Sequence, residues 1–157
     1  MQNILVSADW LKEHLDNPEI VILDARLRYD STAADLDDVR VKGARIFDLE
    51  NEFSDKNSPF PNMLPSLAEF EKSCRKLGIN KSSKIVVYDH FGIYVSPRVW
   101  WMFKTMGHDN VIVLNGGFPE WNSKGYDTEK GVVPMVHGGN FKAHLNTESV
   151  VNYEQIK

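Results

Sequence analysis

Lys84-Ile85-Val86-Val87-Tyr88-Asp89-His90-Phe91-Gly92-Ile93-Tyr94-Val95-Ser96-Pro97-Arg98-Val99-Trp100-Trp101-Met102-Phe103 is the stretch on which the fold turns. It opens with a compact β-type run, Lys84 to Tyr88, that stops at Asp89. Apolar runs of about four or five residues that end in turn formers read as buried parallel strands. Ser96-Pro97 then reads as a helix N-cap followed by an N1 proline, where the missing N–H of the ring costs nothing. Val99, Trp100, Phe103 and Met106 recur at helical spacing, and Gly107 stops the run.

Outward from this stretch the same alternation continues. Val111-Ile112-Val113-Leu114 is a buried run closed by Asn115-Gly116-Gly117. Ile20-Val21-Ile22-Leu23 ends in Asp24, and Ala44-Arg45-Ile46-Phe47 is a weaker run behind Gly43. Between them, Ser66-Leu67-Ala68-Glu69 is a capping box, with Leu67, Phe70, Cys74 and Leu77 at helical spacing and Gly78 as the stop. Ser7 caps an earlier helix through Trp10, Leu11, His14 and Leu15, and Phe118 begins a short helix ended near Gly125. Strands alternating with helices imply an α/β domain, a parallel sheet covered on both faces. Asp48 to Pro65 is the longest irregular segment, and Gly131 to Gly139 is a second loop. Long loops of this kind are commonly functional or contact another domain.

Composition narrows the function classes. A chain of 157 residues fits one domain and buries a core without staples. Net charge is −4 and the pI about 5.7, with no concentrated basic surface for nucleic acid or an anionic membrane. The one cysteine, Cys74, excludes an intrachain disulfide and a cysteine-based zinc site, and suits a reducing cytoplasm. The amino-terminal residues have neither the basic start nor the apolar run of a signal peptide, and no stretch is long enough to span a bilayer. Asn152 to Lys157 reads as a helix just beginning, so the sequence is expected to be a fragment of a longer chain.

Few residues offer chemistry. Cys74 falls near the end of its helix, where the dipole disfavours a thiolate, and reads as a packing residue. The Asp89 to Arg98 segment joins a buried strand to a capped helix, the position where open parallel sheets bind ligands and helix N–H groups face an anion. The alternative is a plain connecting loop. His90 and His108 are acid–base candidates only where a partner positions them, and otherwise packing or surface residues. His137 and His144 lack metal-ligand spacing, and Asn115-Gly116-Gly117 is a tight turn rather than a phosphate loop. Trp100 and Trp101 are adjacent on one helix, so only one faces the core directly.

Taken together, these segments resemble the amino-terminal domain of the rhodanese and 3-mercaptopyruvate sulfurtransferase family. The resemblance rests on Val6 to Leu11, Ile22 to Arg26, Gly43 to Asp48, Ser58-Pro59, Met63 to Ser66, Leu77 to Ile79, Val86 to Asp89, Ser96 to Phe103, Gly107-His108 and Leu114 to Phe118. The runs Pro97 to Phe103 and Met63 to Ser66 are the specific ones. The resemblance implies a rhodanese-like three-layer sandwich, a five-stranded parallel sheet with helices on both faces, occurring twice in the whole protein. By it, residues 1–145 form the inactive copy, and residues 146–157 start the connection to a missing second domain.

The family's catalytic cysteine follows a strand of the second copy. The matching position here is Asp89, a carboxylate, which cannot form a persulfide, so no catalytic residue is expected in this chain. The family's active site lies between the two halves. Tyr94, Ser96 and Arg98 are then expected to line it or the domain interface. Glu50 and Asn62 match an Asp and a His proposed to assist proton transfer in mercaptopyruvate-using members; Glu keeps the charge, but Asn cannot shuttle a proton. The implied parent is a cytoplasmic sulfurtransferase moving sulfane sulfur from thiosulfate or 3-mercaptopyruvate to a thiophilic acceptor such as cyanide. It needs no metal or organic cofactor. Its expected partners are the second rhodanese domain and the small donor, not nucleic acid or membrane, and an exposed domain face invites dimerisation. The alternative is a free-standing, inactive rhodanese-like module that binds a protein or an anion. A phosphatase of the same fold needs a Cys and an Arg bracketing the loop, and only Arg98 is present.

Overall fold

The computed structural model describes residues 5–26, 39–48, 66–90, 95–130 and 138–143. Its strands are β1 (Leu5–Val6), β2 (Ile20–Arg26), β3 (Val39–Val41), β4 (Arg45–Asp48), β5 (Lys84–Tyr88), β6 (Val111–Leu114) and β7 (Thr128–Lys130). Its helices are α1 (Ala8–Glu13), α2 (Leu67–Lys76), α3 (Ser96–Thr105) and α4 (Gly117–Ser123). Five strands form one sheet in the order β1-β6-β5-β2-β4, and every pairing in it is parallel. This is the expected doubly covered parallel sheet.

Alternation along each strand divides the interior in two, because successive side chains leave opposite faces of a strand. Val21, Leu23, Ala25, Ile85, Val87, Val111 and Val113 face one way, onto Phe70 and Cys74 of α2 and Val99, Met102 and Phe103 of α3. Ile22, Val86, Tyr88, Ile112 and Leu114 face the other way, onto Ala8 and Leu11 of α1 and Trp121 of α4. The rings of Phe70, Phe103 and Phe141 meet edge-on in the first cluster, with centroids 5.2 to 6.0 Å apart. Burial of such rings is where most of the stabilisation lies.

The structure extends and corrects the sequence reading at several elements. Ser7 and Ser66 cap α1 and α2 as expected, accepting from the N–H groups of Trp10 and Glu69. Helix α1 ends at Glu13, two residues earlier than the apolar spacing suggests; His14 is its C-cap, with its ring stacked on Trp10 and its Nδ1 2.7 Å from the Trp10 carbonyl. Strands β1, β3 and β7 are additions. Strands β3 and β7 pair antiparallel as a separate ribbon, with the buried Arg40 of β3 lying 3.5 Å from Glu129 of β7. Trp100 and Trp101 are both half-buried against the first cluster, so neither stands out as an uncovered ring.

The turn into α4 requires glycine. Gly116 has φ +83°, and a Cβ there would lie 2.6 Å from the Glu120 Cβ. Among the described residues no helix is long and apolar enough to cross a membrane.

Candidate functional site

In this sheet the connections from β2 and β5 leave in opposite directions: β2 leads to β4 on one side, β5 to β6 on the other. In open α/β sheets the crevice outside the carboxyl ends of two such strands is the usual ligand site. Strand β2 runs beside β5 with Asp24 level with Tyr88. Asp24, Tyr88, Asp89 and His90 are therefore brought together by the two central strands.

Asp89 is fully buried, and its Oδ2 accepts from the N–H of Val95 at 2.8 Å and of Ser96 at 2.9 Å. The carboxylate thus satisfies donors at the start of α3 and sits at the positive end of the helix dipole. Its own carbonyl accepts from the Phe118 N–H at 2.9 Å, so this one residue joins the ends of β5, α3 and α4. This corrects the expected cap. Ser96 is the first helical residue, Val95 is the N-cap without a side-chain bond, and the capping oxygen comes from Asp89. The Ser96 hydroxyl is buried and has no hydrogen-bond partner among the described residues. Arg98 lies half-buried in the first turn of α3.

Asp24 is equally buried and accepts from two side chains, the Tyr88 hydroxyl and His90 Nε2, each at 2.8 Å. The Tyr88 oxygen in turn accepts from the Val41 N–H at 2.9 Å, tying the β3 ribbon to the sheet. A buried carboxylate is tolerated only when hydrogen-bonded in this way. The His90 side chain is 32% exposed, and its ring leans on Phe118 with centroids 4.8 Å apart.

Other sequence candidates fall elsewhere. Cys74 is buried in the last turn of α2, and burial, with the Glu71 charge adding, pushes its thiol well above the ordinary range. It is a packing residue, as the sequence suggests. His108 is buried, with Nε2 donating to the Ser83 carbonyl at 2.8 Å, and burial lowers its pKa below 6.5. Glu50, Asn62, Tyr94, His137 and His144 lie outside the described residues, as do residues 146–157. Among the described residues no cluster of His, Cys, Asp and Glu could hold a metal ion. The Asp24–Tyr88–His90 group was missed as a unit. Its signal was two apolar runs, each ending in aspartate, that become neighbours once the strands are placed side by side.

A doubly covered parallel sheet with a capped strand-to-helix loop at its switch point defines the class. The family model for the rhodanese-like domain matches residues 7–124, and the chain belongs to that family. It is 38% identical over 156 residues to the 3-mercaptopyruvate sulfurtransferase of Escherichia coli K12, covering 96% of this chain and 55% of that protein. It is 39% identical over 164 residues to the thiosulfate sulfurtransferase of Rattus norvegicus, covering 97% of this chain and 54% of the relative. The crystal structure of SseA from Escherichia coli, a 3-mercaptopyruvate enzyme with the rhodanese fold, superposes with a TM-score of 0.81 at 34% identity. That superposition covers 99% of this chain and 63% of the other. The chain spans about half the length of the curated relatives it matches.

Proposed function

We propose that this chain is the amino-terminal rhodanese domain, the one that does not carry the sulfur, of a cytoplasmic two-domain sulfurtransferase. The whole protein takes a sulfane sulfur from thiosulfate or 3-mercaptopyruvate and carries it as a persulfide on a cysteine of a second rhodanese domain. It then passes the sulfur to a thiophilic acceptor such as cyanide. This domain supplies pocket walls, through Glu50, Asn62, Tyr94 and Arg98, and the packing surface for its partner domain. Left alone, that surface favours self-association.

One observation carries the reading. The residue heading the strand-to-helix loop is Asp89, whose carboxylate is itself bound by the Val95 and Ser96 N–H groups. A carboxylate there is no sulfur carrier, and the only thiol of the chain is buried and protonated. The sulfurtransferases to which the chain is similar, and its span of half their length, support the rest.

The test is thiocyanate formation from thiosulfate and cyanide. The 157-residue chain is expected to form none, and the full-length natural gene product to form it readily. Thiocyanate formed by this chain and lost in Cys74→Ser would overturn the reading.

A further inference from the structure

We infer that His90, backed by Asp24, carries the proton that this domain contributes when 3-mercaptopyruvate is the sulfur donor. The inference rests on the function proposed above.

The geometry separates His90 from an ordinary packing histidine. His108 shows what packing looks like here: it is buried, bonded to a backbone carbonyl and set among the rings of Phe103 and Phe141. His90 instead lies just beyond the carboxyl end of β5, one residue past Asp89, with its side chain 32% exposed. Its Nε2 lies 2.8 Å from a fully buried carboxylate oxygen; a carboxylate only accepts, so Nε2–H donates to Asp24. The carboxylate is held in turn by the Tyr88 hydroxyl, and the ring by Phe118, whose N–H is fixed to the Asp89 carbonyl. A partly exposed imidazole held at one nitrogen by a buried carboxylate is an arrangement suited to moving protons.

The two donors differ in whether they need such a group. With 3-mercaptopyruvate, the cysteine thiolate of the second domain attacks the donor's thiol sulfur. An S–S bond forms, the C3–S bond breaks, and its electron pair stays on C3 as the enolate of pyruvate. His90 Nδ1 takes the S–H proton and returns it to C3, leaving persulfide and pyruvate with no net gain or loss of protons. With thiosulfate the departing sulfite is already a stable anion, so no proton has to move. His90 thus supplies what Asn62, which cannot shuttle a proton, does not.

The experiment compares kcat/KM for the two donors in the full-length natural gene product and its His90→Gln and Asp24→Asn variants. The ratio of the 3-mercaptopyruvate value to the thiosulfate value is expected to fall about 100-fold in His90→Gln, in keeping with loss of a general acid–base group. Asp24→Asn moves the ratio in the same direction. An unchanged ratio, including an equal fall for both donors from damage to packing, overturns the inference and leaves the proposed function standing. So does a wild-type protein that uses thiosulfate but not 3-mercaptopyruvate. A wild-type protein that uses neither donor overturns both. Nitrogen-15 spectra of this chain give an independent reading: the Nε2-protonated tautomer of His90 is expected, and the Nδ1-protonated form contradicts the inference.

Discussion

The side chain of Asp89 reaches seven residues along the chain to bond the N–H of Ser96, and it takes the Val95 N–H with the same oxygen. A helix whose own first residues bring no capping side chain is thereby started from the end of a strand. Replacing the carboxylate by a methyl group orphans two buried donors, a loss of about 1–3 kcal/mol. Asp89→Ala is therefore expected to lower the urea midpoint of this chain by a corresponding amount, and Asp89→Asn, which keeps an acceptor oxygen, by less. Equal midpoints for Asp89→Ala and the parent chain would show that the two bonds contribute nothing. At this scale the sequence was legible where partners are near neighbours. Ser7 and Ser66 each bond the N–H three residues ahead, as their spacing predicts. It misled at Ser96, because periodicity says nothing about an oxygen arriving from another element.

Among the elements, the central strands were legible because a strand covered on both faces is an unbroken run of apolar residues. Val111 to Leu114 is buried at every position, and Lys84 to Tyr88 at all but the first. Strands β1, β3 and β7 were not legible. They have two or three residues each, are partly or wholly exposed at some positions, and in β3 and β7 depend on a partner distant in sequence. The packing of α3 against β5 carries a pH dependence of its own. His108, just beyond α3, is buried beside Phe103 and bonded to Ser83 at the head of β5, and burial holds its pKa below 6.5. The unfolded chain then binds more protons on the acid side of 6.5 than the folded one. Stability is complete above that pH and falls as pH drops from there toward the folded-state pKa. His108→Gln is expected to flatten the fall in this window, read as urea midpoints from pH 7 to about 5. A slope that the substitution leaves unaltered would place the titration on other groups.

For the whole molecule, the site exists only through topology. Asp24 and Asp89 are far apart in sequence and become neighbours because β2 and β5 lie side by side and end at the same edge. The sequence showed two aspartates closing two apolar runs; strand order, which decides their meeting, is not written in either run alone. The resemblance of the segments to the rhodanese family fixed the fold, and the match over residues 7–124 bears that out. Glu50, Asn62 and Tyr94, expected at the site on that resemblance, lie outside the described residues, so the site rests on Asp24, Tyr88, Asp89 and His90. The central claim is that this domain shapes a sulfur-transfer site without carrying the sulfur. The most direct measurement is to react the full-length natural gene product with thiosulfate and locate the added sulfur atom by peptide mass spectrometry. The account predicts it on a cysteine outside these 157 residues. Sulfur found on Cys74 would contradict it.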